Sequence, residues 1–137
     1  MQLEPTRTQR EERPTGDTPW VFALRSYVHA LREEAAYTAN GRNGITLVKT
    51  PRLRVVLEVL RAGEELGEHR APGPITVHAL EGAIRFHVGD EVFRVSEGGL
   101  LTLPGGWRHW VEAVRDSAFL LTIAVEEQEP RQTPAGE

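Results

Sequence analysis

Four of the five histidines, His69, His78, His87 and His109, lie in the second half of the chain, and cysteine is absent. Disulfides, thiolate metal sites and cysteine nucleophiles are therefore excluded. Lys49 is the only lysine, so Schiff-base chemistry has a single candidate with nothing nearby to recommend it. What remains is imidazole chemistry: metal ligation, proton transfer, or hydrogen bonding to a ligand. His69 closes "AGEELGEH" and leads into the "APGP" turn, while His109 follows the "PGG" turn and opens a new apolar run. Two imidazoles forty residues apart can meet only if their strands are neighbours in space.

The elements that must position them read as follows. Residues 1–17 and 126–137 mix charge with Pro, Thr and Gly and have few large apolar side chains, so both read as flexible tails. Thr18-Pro19 resembles an N-cap with proline in the first helical position. Trp20, Leu24, Tyr27, Val28, Leu31 and Ala35 then recur at three- and four-residue steps, and Asn40-Gly41 supplies a stop. One helix is predicted within 18–41, with His29 on its solvated side. From residue 42 to 125 the pattern changes to short β-rich runs: "ITLVKT", "LRVVLEVL", "ITVHAL", "AIRFHV", "EVFRV", "LLTL", "HWVEAV" and "AFLLTIAV". Turn residues cut them about every ten positions, which is the pattern of a β-sandwich or barrel. Gly89-Asp90 in "HVGDEVF" is the clearest hairpin turn. The absence of a second helical segment between strands excludes a βαβ architecture. The fold class is all-β, a small barrel preceded by one N-terminal α-helix.

At the histidine-bearing turns the chain resembles the cupin superfamily. The second cupin motif, G-x5-P-x-G-x2-H-x3-N, is met by Gly98, Pro104, Gly106 and His109 in "GGLLTLPGGWRH", with Ala113 in place of the final Asn. The first, G-x5-H-x-H-x3,4-E-x6-G, is met by Gly63, His69 and Gly82 in "GEELGEHRAPGPITVHALEG". The resemblance covers about residues 63–113 and implies a jelly-roll cupin barrel. It also implies a metal site built from two histidines and a glutamate of the first motif and one histidine of the second. In this chain the second histidine position is Ala71 and the glutamate position is Ile75. His69 and His109 remain as metal ligands, with His78 as a possible third. They would hold at most one loosely bound divalent transition metal (Zn, Fe, Mn or Ni), because a firm site has three or four protein ligands.

The lost ligands turn the pocket apolar. Ala71, Ile75, Val77, Ala79 and Val111 are expected to line it by strand alternation, with Ala113 beside them and Trp107 at its rim. Trp110 and His87 alternate away from the interior. Glu68 and Glu81 sit at strand ends, where carboxylates are usually solvated. No partner for acid–base chemistry stands out beyond the two histidines, although Glu58 in "VVLEVL" could face inward. The expected function is a small-molecule-binding or sensing cupin with a partial two-histidine metal site and no defined catalysis. The alternative is a metal-dependent cupin enzyme, of oxygenase or isomerase type, with an unusual ligand set. A structural or partner-binding role for the N-terminal helix is a third option.

Composition limits the partners. The 137 residues carry 39% apolar and 26% charged side chains and a net charge of −4, with arginines scattered among carboxylates. No basic patch suggests nucleic acid, and no apolar run approaches the eighteen or so residues a membrane span requires. A cytoplasmic location and a homodimer, which would cover edge strands and outward apolar residues, are the expectations.

Overall fold

Two short helices and nine strands account for most of residues 18–125, which are the residues described in the computed structural model. The expected tails at 1–17 and 126–137 lie outside the described residues. The helices are α1 (Leu24–Glu33) and α2 (Ala35–Asn40). The strands are β1 (Arg42–Lys49), β2 (Leu53–Leu60), β3 (Glu65–Arg70), β4 (Ile75–Glu81), β5 (Ala83–Val88), β6 (Glu91–Ser96), β7 (Leu100–Leu103), β8 (Arg108–Ala113) and β9 (Ser117–Ala124). They form a five-stranded sheet ordered β1-β2-β9-β4-β7 and a four-stranded sheet ordered β3-β8-β5-β6, with antiparallel pairing throughout. The all-β barrel expected from the run spacing is therefore present, and Gly89-Asp90 joins β5 to β6 as the hairpin turn.

Side chains alternate across each strand, so each sheet has one face for the interior and one for the exterior. Leu60, Ile75, Val77, Ala79, Ile84, Phe86, Val88, Val95, Leu103, Val111, Ala113 and Phe119 fill the space between the sheets. A second apolar layer lies outside the five-stranded sheet. There Tyr27, Val28 and Leu31 of α1 and Tyr37 of α2 pack on Ile45, Leu47, Leu57, Val59 and Ala118. The N-terminal helical segment thus has a structural role: it seals a sheet face that would otherwise expose these side chains to water.

The single helix expected over 18–41 is corrected in two places. It begins at Leu24 after Ala23, which makes no side-chain capping bond, and not at Thr18-Pro19. Short helices gain most of their stability from packing an apolar face, and the stretch before Leu24 has little to pack: Trp20 is 54% and Val21 94% exposed. The helix also breaks at Glu34, whose backbone is extended. Asn43 explains the break, because its Nδ2 donates to the Leu31 carbonyl at 2.9 Å and to Glu34 Oε1 at 2.9 Å. That carbonyl would otherwise accept from the Ala35 amide in a continuous helix. Gly41 closes α2 in the left-handed region at φ 73°, its amide donating to the Tyr37 carbonyl at 2.7 Å.

Candidate functional site

β3 and β8 are adjacent in the four-stranded sheet, and their register sets His69 directly opposite His109. The rings lie 6.4 Å apart between centroids at 28°. The encounter required by the sequence reading therefore occurs. His109 is buried and stacks on Phe86 at 5.1 Å, whereas His69 is exposed. Each ring is held in the same way. His109 Nδ1 meets the Trp107 carbonyl at 3.1 Å, and His69 Nδ1 meets the carbonyl of Gly67. A carbonyl can only accept, so in each neutral ring Nδ1 carries the proton and Nε2 keeps its lone pair. Burial, and to a smaller degree the neighbouring His69, push the His109 pKa below the usual imidazole value. The bond to Trp107 works in the opposite direction and is outweighed, so His109 is neutral at pH 7.

Both histidines border a cavity of about 320 Å³ between the two sheets. Leu66, Ala71, Ile75, Phe86, Val111, Phe119, Leu121 and Ile123 make its wall mainly aliphatic and aromatic. Of the pocket residues expected from the sequence, Ala71, Ile75 and Val111 line it. Val77 and Ala79 face the interior as alternation requires, but they are core and not lining, at 0% and 1% exposure. Their cross-strand partners Leu121 and Phe119 form the wall instead. Trp107 does not line the cavity either; it stands 53% exposed on the turn before β8. Trp110 also borders the cavity, yet its ring stacks on His87 at 3.6 Å and 6° on the outer face. His87 accepts no role inside, since its Nε2 is engaged with Glu112 at 3.1 Å.

His78 is not placed to act as a third ligand. It lies on the other face of the five-stranded sheet, in a groove with Leu24, Arg25 and Val28 beside α1. An odd offset from Ile75 sends its side chain outward, and no strand-end flexibility offsets that. Glu68 and Glu81 are engaged elsewhere, with Arg108 at 3.2 Å and Arg32 at 2.8 Å. Among the described residues no group of three His, Cys, Asp or Glu side chains could hold a metal ion. Two imidazoles with anchored Nδ1 and open Nε2 fit two positions of a metal's coordination shell, but the donor set does not fit a firmly resident ion.

Three charged residues not assigned to the pocket from the sequence do line it: Arg70 of β3, and Arg54 and Glu58 of β2. On β2, Arg54 and Glu58 share the interior face with Leu60 by alternation, while Leu57 and Val59 pack toward the helices. Glu58 is raised from 4.5 to about 7 by desolvation. Its carboxyl leans over Gly44, its partner on β1, where an added Cβ would stand 2.5 Å from Oε2. The missing side chain of Gly44 is the space that the carboxyl occupies. The signal in the sequence was the alternation Arg54-Val56-Glu58 within "LRVVLEVL". A polar face normally points to solvent, and here it points to a cavity because the other face is covered by helices.

Comparison with known proteins gives a consistent picture. Residues 56–125 match the family model described as "Cupin domain". No curated protein matches. Among solved structures, a conserved protein of unknown function from Streptococcus pyogenes is 30% identical, with a TM-score of 0.62, over 65% of this chain and 78% of that one. KdgF from Halomonas sp. is 20% identical, with a TM-score of 0.57, over 63% of this chain and 82% of that one. Salicylate 1,2-dioxygenase from Pseudoaminobacter salicylatoxidans is 19% identical, with a TM-score of 0.67, over 75% of this chain and 32% of that one. The last two likenesses concern the fold alone.

Proposed function

The chain belongs to the cupin-domain family, and from that premise we propose that it is a small-molecule-binding or sensing cupin without a defined reaction. The observation that carries this reading is the cavity itself. An apolar wall with a few convergent polar groups is the usual character of a small-molecule site, and a volume of about 320 Å³ suits a compact organic ligand. His69 and His109 present lone pairs that need a donor, so a hydroxyl or N–H of the ligand would satisfy them. A fragment screen followed by NMR tests the reading. Hits are expected to shift the side-chain resonances of His109, Phe86 and Phe119 together. Hits that collect elsewhere and leave these three unmoved would count against it.

A second reading, a metal-dependent enzyme of oxygenase or isomerase type, is favoured by one observation. Anchoring Nδ1 to a carbonyl while leaving Nε2 open is how metal-ligating histidines are held. The salicylate dioxygenase and KdgF folds are compatible with it. Metal analysis of protein prepared without chelator separates the two readings. Near-stoichiometric transition metal, lost in both His69→Ala and His109→Ala, supports the enzyme; no retention after exposure to Fe²⁺, Mn²⁺, Ni²⁺ and Zn²⁺ supports the binding protein. The proposal includes a homodimer, for which exposed Val92 and the Trp110–His87 stack on the outer face of the four-stranded sheet provide apolar surface. No helix of the described residues is long and apolar enough to cross a membrane.

A further inference from the structure

The cavity is chemically unequal along β2. Arg54 and Glu58 lie on the same face of that strand, four residues and about 13 Å apart. Arg54 pairs in register with Ile123 near the mouth, and Glu58 with Phe119 deeper in. Glu58 is partly buried and forms no ion pair among the described residues. The positive charge gathers at the other end. Lys49 of β1 stands directly opposite Arg54 in the register, and Arg70 directly opposite Arg108 on the far sheet. Like charges facing each other across strands repel. Arg108 is compensated by Glu68 at 3.2 Å, whereas no described side chain forms an ion pair with Lys49, Arg54 or Arg70.

We propose that this cavity selects small organic carboxylates, with the anion held by Arg54 at the mouth and the hydrocarbon body lying against Ile75, Phe119, Leu121 and Ile123. The inference rests on the binding reading above and names its ligand class. A guanidinium presents paired N–H donors that match a carboxylate's two oxygens, which a lone ammonium does not. An anion at that point also relieves the Lys49–Arg54 repulsion.

Titration of the full chain with benzoate and hexanoate, and with benzamide and hexanamide as neutral isosteres, tests this at pH 6 and low salt. Calorimetry reads affinity, and NMR of His109 and Phe119 reports location. Each acid is expected to bind about tenfold or more tightly than its amide, as a hydrogen bond to a charged group provides. Arg54→Gln should bring that preference close to one, and Arg54→Lys should keep part of it. Arg54 is exposed and forms no ion pair among the described residues, so folding is preserved in both variants. Equal binding of acids and amides, or a preference that survives in Arg54→Gln, overturns the carboxylate assignment and leaves the binding reading intact. If neither class moves His109 or Phe119, both fall together.

Discussion

On its outer face the five-stranded sheet places Ile45, Leu47, Leu57, Val59 and Ala118 beneath Tyr27, Val28, Leu31 and Tyr37, and every one of these side chains is buried. On its inner face the same strands carry Arg54, Glu58, Leu121 and Ile123 around a cavity. β2 contributes to both, through Leu57 and Glu58 at consecutive positions. The difference separates two ways of covering a sheet. The helices bury the apolar side chains beneath them, whereas the second sheet leaves a cavity on the inner face that polar residues line. Both faces carry a buried apolar core, and only the inner one also holds a cavity with polar lining.

Truncation should break this symmetry most visibly. Leu57→Ala removes a side chain with 0% exposure from the sealed face and is expected to cost about 2–5 kcal/mol in denaturant unfolding. Leu121→Ala removes a partly buried side chain that already borders open space and should fall at or below the lower end of that range. If Leu121→Ala costs as much as Leu57→Ala, the cavity wall is packed as tightly as the helix-covered face and the contrast is wrong.

A smaller effect sharpens the same comparison through pH. Glu58 holds its proton up to about pH 7 when folded, against 4.5 in the unfolded chain. Between these values the folded state binds more protons, so stability falls as pH rises through that window and levels off above it. Glu58→Gln lacks this loss. It should exceed the wild type by roughly 2–3 kcal/mol at pH 8, allowing for partial exposure, and match it at pH 4. His109 contributes with the opposite sign. Its folded pKa lies below 6.5, so the unfolded state binds the extra proton and stability is lost as pH falls below 6.5. Unfolding free energies of wild type and Glu58→Gln across pH 4–8 check both slopes, and parallel curves would remove Glu58 from the interior.

Much of the frame was legible in the residues. Strand boundaries at "LRVVLEVL", "AIRFHV" and "LLTL" coincide with β2, β5 and β7, because turn residues cut each run where pairing stops. The motif glycines are turn positions for a physical reason visible at Gly82, where φ is 76° and a Cβ would lie 2.2 Å from the Asp116 carbonyl oxygen. The His69–His109 meeting was legible as well, since the motif spacing carries the topology that makes β3 and β8 neighbours. The cavity wall was less so. Val77 and Ala79 obey alternation yet are buried beside Leu121 and Phe119 and do not line the cavity, because alternation gives the face of a residue and not its depth.

Local sequence determined the strands, the turns and which side chains share a face, because these depend on neighbours one to four residues away. The start of α1, its break at Glu34 and the inward course of Arg54 and Glu58 were decided by tertiary structure. Each depends on what another segment supplies: a sheet for α1 to cover, the Asn43 amide for the Leu31 carbonyl, and a bare Gly44 beside the Glu58 carboxyl. Which face of β2 meets water was set only when the helices covered the other one.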